Sequence, residues 1–115
     1  MKILHIFKQY FPEKQGGVEE TIRQICRFTA KHGIKNKILT VSPTAKPGVI
    51  EYPEATVVRY KTVLDKCSTP ISFDFFINFR EYISSADILH FHFPWPFAEL
   101  CFLCNTIRGM WSEYN

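Results

Sequence analysis

The segment Asp87 to Phe93, Asp-Ile-Leu-His-Phe-His-Phe, constrains this chain more than any other, because beyond its first residue it carries no formal charge on either alternating face. A strand that is apolar or neutral on both sides needs cover from above and below, as a strand has in a parallel sheet flanked by helices. The segment therefore predicts a central parallel strand with a neighbour on each edge. Alternation puts His90 and His92 on one face and Leu89, Phe91 and Phe93 on the other. Pro94 and Pro96 end it.

The rest of the chain supplies partners for such a strand. Lys2 to Phe7 is a β-branched and aromatic run that reads as a first strand. The ten residues from Lys8 to Gly17, with Pro12 and a glycine pair, exceed the usual βα loop, and long loops at that place tend to bind something. From Val18 the spacing is helical, with Val18, Ile22, Ile25, Cys26 and Thr29 on one side and Arg23, Arg27 and Lys31 on another. Glu19 and Glu20 in the first turn and Lys31 and His32 in the last complement the helix dipole, and Gly33 supplies the stop. Lys37 to Val41 is a second strand, Ser42 to Gly48 is turn material, and Ala55 to Tyr60 is a third strand. Lys61 to Ile71 reads as an irregular connection. Ser72 to Ile83 is helical, with Phe73, Phe76, Ile77 and Ile83 as one stripe, widened by Phe75, Phe79 and Tyr82. Phe97 to Cys104 could begin another helix. The order predicts an α/β fold: a partial Rossmann-like, doubly wound parallel sheet of about four strands with helices on both faces.

A chain of 115 residues holds one hydrophobic core and not two. Its net charge of +3 is spread along the chain, which argues against nucleic acid as a partner. The apolar start is too short for a signal peptide, and Ile88 to Leu103 is interrupted by two His, two Pro and Glu99, so no transmembrane segment is predicted. A cytoplasmic location follows as the expectation. Cys26, Cys67, Cys101 and Cys104 are then expected as reduced thiols.

In doubly wound sheets ligands gather at the carboxyl ends of the strands, at the switch point between the first strand and the fourth. The Lys8 to Gly17 loop and the His90 to Pro96 segment both belong to that edge. Gly16 and Gly17 open a helix where backbone N–H groups can face a phosphate; the plainer reading is a turn that starts a helix. His90 and His92 can hydrogen-bond a polar substrate and exchange protons near neutral pH; the plainer reading is two satisfied core histidines. G-x-G-x-x-G, an acidic residue ending strand two, and the P-loop pattern are all missing, so neither a dinucleotide enzyme nor a nucleoside triphosphatase is supported. His90, His92, Cys101 and Cys104 offer metal-ligand spacing, but Phe102 and Leu103 inside the Cys-x-x-Cys favour a packing helix, and no metal or cofactor is expected. Arg23, Arg27 and Lys31 form either a solvated face or a weak peripheral contact with acidic lipid at the inner face of a membrane.

Met-Lys-Ile-Leu-His-Ile at the start, Tyr10-Phe11-Pro12, Gly16-Gly17-Val18-Glu19, a helix closing on Lys31-His32-Gly33, and Asp87-Ile-Leu-His-Phe-His-Phe-Pro94 together resemble the family 4 glycosyltransferases, which are retaining enzymes of the GT-B fold. The resemblance covers about residues 1 to 104, with 105 to 115 a divergent tail. It implies an acceptor-side portion of the N-terminal Rossmann-like domain of a two-domain enzyme. Such an enzyme moves a sugar from a nucleotide-sugar to a glycan or lipid-linked acceptor. By the same resemblance Gly16 and Gly17 would line the donor diphosphate, Tyr10 and Phe11 would shape the acceptor site, and His90, His92 and Pro94 would build the cleft floor. The family's later histidine and its C-terminal donor-binding domain have no counterpart here. The expectation is a fragment inactive alone, carrying no catalytic group of its own. The alternatives are a non-catalytic module completed by a separate chain, and a small His/Cys metal protein.

Overall fold

The structure, a computed structural model, describes residues 1–10, 16–42, 47–62, 64–66, 69–92, 95 and 97–104. Its elements run β1 (Lys2–Ile6), α1 (Gly17–Ala30), β2 (Lys35–Ser42), β3 (Gly48–Glu51), β4 (Thr56–Lys61), β5 (Leu64–Lys66), β6 (Thr69–Ile71), α2 (Phe73–Ser85) and β7 (Ile88–Phe91). A last helix, α3, covers 97–104. The main sheet has the order β3-β4-β2-β1-β7. Strands β4, β2, β1 and β7 are parallel, and β3 joins the edge antiparallel to β4. The chain builds outward from β1 in one direction and then crosses to its other side, so the switch point lies between β1 and β7.

Alternation along the buried strands sorts the core into two layers. Leu4, Ile6, Leu39, Val41 and Val58 face α2 and pack with Phe75, Phe79, Trp95, Ala98 and Cys101. Ring centroids in that layer lie 4.9 Å apart for Phe75–Trp95 and 5.0 Å for Phe75–Phe79, within the range of favourable aromatic pairs. On the opposite face Phe7, Ile38, Val57 and Ala55 meet Tyr10, Ile22 and Cys26 under α1. Helices thus cover both faces, as the sequence predicts. Gly33, at φ 79°, closes α1 in the left-handed conformation, and the Ile34 amide donates back to the Thr29 carbonyl at 3.2 Å.

Four expectations need correction. The sheet is mixed, because Gly48 to Glu51 pairs with β4 across a tight turn in which Tyr52 and Ala55 exchange backbone hydrogen bonds. Residues 61–71 are not wholly irregular, since β5 and β6 form a two-stranded antiparallel ribbon. Helix α2 turns Phe75 and Phe79 inward and leaves Phe76 and Ile77 exposed, reversing the stripe read from spacing. The helix has aromatic or aliphatic residues on too many sides for periodicity to choose among them. Strand β7 differs too: among the described residues it pairs with β1 alone, and Ile88 is exposed.

Candidate functional site

The switch point gathers three histidines. His5 on β1 is the register partner of His90 on β7. The amide of His92 donates to the Ile6 carbonyl at 3.0 Å, carrying the pairing one residue beyond β7. All three side chains leave the sheet on the α1 side, and the rings of His90 and His92 stack with centroids 4.0 Å apart. His5 sits 5.3 Å from His90 and 5.4 Å from His92 by the same measure. His5 Nδ1 lies 3.1 Å from His92 Nε2.

The second nitrogen of His5 is held from below. Its Nε2 lies 3.2 Å from Asn36 Oδ1. The Asn36 amide nitrogen faces only acceptors: the Cys26 carbonyl at 3.3 Å, Thr29 Oγ1 at 2.9 Å and the Glu54 carbonyl at 3.4 Å. That set orients the amide, so Oδ1 accepts and His5 Nε2 donates. Thr29 passes its own proton to the Ile25 carbonyl at 2.8 Å. A polar thread therefore runs from α1 through β2 and β1 to β7. His5 is fully buried, and burial pulls its pKa down to about 4, against the opposing hydrogen bond to Asn36. Burial, reinforced by the charges of His90 and His5, pulls His92 down to about 4 as well. Both rings are neutral near pH 7, and each keeps one lone pair.

The glycine pair stands at the same end of the sheet. Gly16 and Gly17 are exposed at the start of α1, and the N-cap residue Gly16 has no side chain of its own to cap the turn. Glu19 folds back so that its carboxylate accepts from the Gly16 amide and from Gln9 Nε2, the latter at 3.4 Å. Gln9 follows the end of β1, which anchors the first turn of α1 beside the strand end that His92 also touches. Glu20 points along the outer flank to Arg23 and Gln24. Tyr10 lies in the core beneath α1, 2 % exposed, with burial raising its phenol pKa. Phe11 and Pro94 lie outside the described residues.

The His/Cys constellation read from spacing is not assembled. Leu89 and Phe91 face the α2 layer that contains Cys101, whereas His90 and His92 face the other way. Burial pushes the Cys26 and Cys101 thiols up to about 12, so neither is a thiolate near neutrality. Cys67 lies outside the described residues. Sequence reasoning missed His5 and Asn36. The signal for His5 was present, a polar residue between Leu4 and Ile6 in the first strand. Its meaning depended on strand order.

A separate groove of about 760 Å³ lies between α1 and the 52–54 turn, lined by Arg23, Arg27, Phe28, Lys31, Tyr52 and Glu54 among others. Arg23 is engaged by Glu20. Phe28 stands 64 % exposed beside this basic ridge. No helix among the described residues is long and apolar enough to cross a membrane.

The chain is 39% identical over 100 residues to the D-rhamnosyltransferase WbpZ of Pseudomonas aeruginosa, a match covering 87% of this chain and 26% of that protein. It is 33% identical over 103 residues to the O-antigen chain mannosyltransferase C of Escherichia coli, covering 90% of this chain and 28% of that one. No protein-family model matches it. No solved structure matches it either. The chain spans about a quarter of the length of the curated relatives it matches, and over nearly all of its own length it is similar to a portion of these two glycosyltransferases.

Proposed function

We propose that this chain is the acceptor-side portion of a retaining, GT-B-type glycosyltransferase of family 4, working on a nucleotide-sugar donor and a glycan or lipid-linked acceptor. The observation that carries the reading is the placement of His90 and His92 at the β1/β7 switch point, on the edge where α1 begins with Gly16 and Gly17. The names of the two relatives favour a rhamnose- or mannose-type sugar.

In this reading the exposed glycine turn lets a donor diphosphate approach the amides at the start of α1, displacing the Glu19 carboxylate from the Gly16 amide. His90 and His92, both half-buried, hydrogen-bond acceptor hydroxyls at the cleft floor, with Pro94 completing it. Phe11 extends the acceptor surface, and Tyr10 shapes it from below by packing the base of the loop. The groups that stabilise the leaving diphosphate come from elsewhere in the enzyme, as electrostatic catalysis of this step requires. A chain spanning a quarter of its relatives is then expected to bind and not to turn over. The alternative, a non-catalytic partner module, shares the fold and differs in what completes the cleft.

NMR titration of the 15N-labelled chain with mannose- or rhamnose-containing oligosaccharides tests the reading. Shifts at His90 and His92 are expected with glycan, and shifts at Gly16 and Gly17 on adding a nucleoside diphosphate. Shifts confined to the groove beside Phe28 and Tyr52, or none at millimolar glycan, would overturn it.

A further inference from the structure

We propose that His5, His90 and His92 form a three-imidazole site for a divalent transition-metal ion such as zinc or nickel. Each histidine offers one nitrogen, and these three atoms all lie within 4.8 Å of one another. Metal–nitrogen bonds of about 2.1 Å put two ligands of one tetrahedral ion roughly 3.4 Å apart. The His5 Nδ1 to His92 Nε2 separation of 3.1 Å already falls near that value. Closing the remaining distance, from at most 4.8 Å, takes side-chain movement of the half-buried His90.

Three further features belong to a metal site. His5 and His90 sit on two hydrogen-bonded strands, and His92, one residue past β7, is tied to β1 by its amide bond to the Ile6 carbonyl, so the backbone fixes their spacing. The buried ligand has a partner of its own: Asn36 Oδ1 accepts from His5 Nε2, which leaves His5 Nδ1 bare and aimed at the other two rings. That is the outer-shell arrangement by which metal-ligating histidines are held in one tautomer. Imidazole is also a ligand that first-row ions from nickel to zinc favour, and three such ligands leave a fourth position open. In the metal-free chain His92 Nε2 donates its proton to His5 Nδ1. On binding, that ring carries its proton on Nδ1 instead, so it stays neutral and its Nε2 lone pair goes to the ion.

The inference does not depend on sugar transfer, and its test reads metal directly. The purified full chain, stripped with chelator, is titrated with zinc or nickel by calorimetry and with cobalt by visible absorption. His side-chain 15N shifts are followed in parallel. The expected result is one ion per chain, with His5 Nδ1 and His92 Nε2 shifting together. His90→Ala and His92→Gln, which change half-buried rings, weaken binding tenfold or more; Asn36→Ala weakens it by roughly ten- to a hundredfold, as loss of an outer-shell partner does. No saturable binding overturns the proposal. So does binding that survives both histidine variants, or that shifts only His32 on α1. The 15N shifts of the unsubstituted chain decide the matter even where a variant fails to fold.

Discussion

Buried imidazoles such as His5 gain little from a proton that water can no longer solvate, and this gives the switch point a pH signature. His5 and His92 titrate at about 4 in the folded chain against 6.5 when free. Between those values the unfolded chain binds more protons, so stability is full above about pH 6.5 and falls as pH drops toward about 4. For His5 alone the loss across that window is about 3 kcal/mol. His90 on β7 and Asn36 on β2 are the groups facing it, and His92 shares the effect. Urea unfolding at several pH values measures the slope; a flat profile from about pH 7 to about pH 4 would contradict it. The glycines make a second residue-scale test. A Cβ on Gly17 meets nothing within 4 Å, whereas one on Gly16 meets Glu19 Oε2 at 2.6 Å. Gly17→Ala is expected to stabilise the chain by about 0.5–1 kcal/mol. Gly16→Ala has to displace the Glu19 carboxylate and should melt below Gly17→Ala. Equal melting temperatures would remove the distinction between them.

Helix α2 shows how an element is decided by its surroundings. Ser72 Oγ accepts from the Phe75 amide at 3.3 Å and caps the N-terminus. Ser72→Ala is expected to cost about 1 kcal/mol. Which stripe faces the sheet was not legible, because Phe75, Phe76, Ile77 and Phe79 are all apolar. The fully buried Phe79 should cost about 3–5 kcal/mol on change to Ala, while Ile77→Ala on the exposed face should stay within about 0.5 kcal/mol. Thermal denaturation ranks the two, and a reversed order would mean that α2 is rotated. Strand β3 was missed for a related reason: four residues with two β-branched side chains have little pattern of their own, and pairing with β4 makes them a strand.

At the level of the whole molecule, the two core layers and the parallel order around β1 make a platform whose strand ends carry the proposed site. The purified chain is expected to transfer no sugar from a nucleotide-sugar, measured by nucleotide release with candidate acceptors; turnover by this chain alone would contradict the proposed division of labour. The outer face of α1 carries Arg27, Lys31 and exposed Phe28, and we propose it as the surface for a peripheral contact with acidic lipid. Sedimentation with anionic vesicles is expected to fall on raising salt and to fall further in Phe28→Ser, whereas equal sedimentation with neutral vesicles would speak against that contact.

Periodicity and turn residues by themselves settled the four parallel strands, the two main helices, the burial of residues on alternate strand positions and the shared face of His90 and His92. These are local properties, set by side-chain spacing of two or three to four residues and by Gly and Pro. The doubly wound order anticipated that β7 lies against β1; only the tertiary structure decided the register of that pairing and what stands beneath it, because register is a long-range matter that leaves no local trace. That register set His5, held by Asn36, beside His90 and His92, with Cys101 on the opposite side of the sheet.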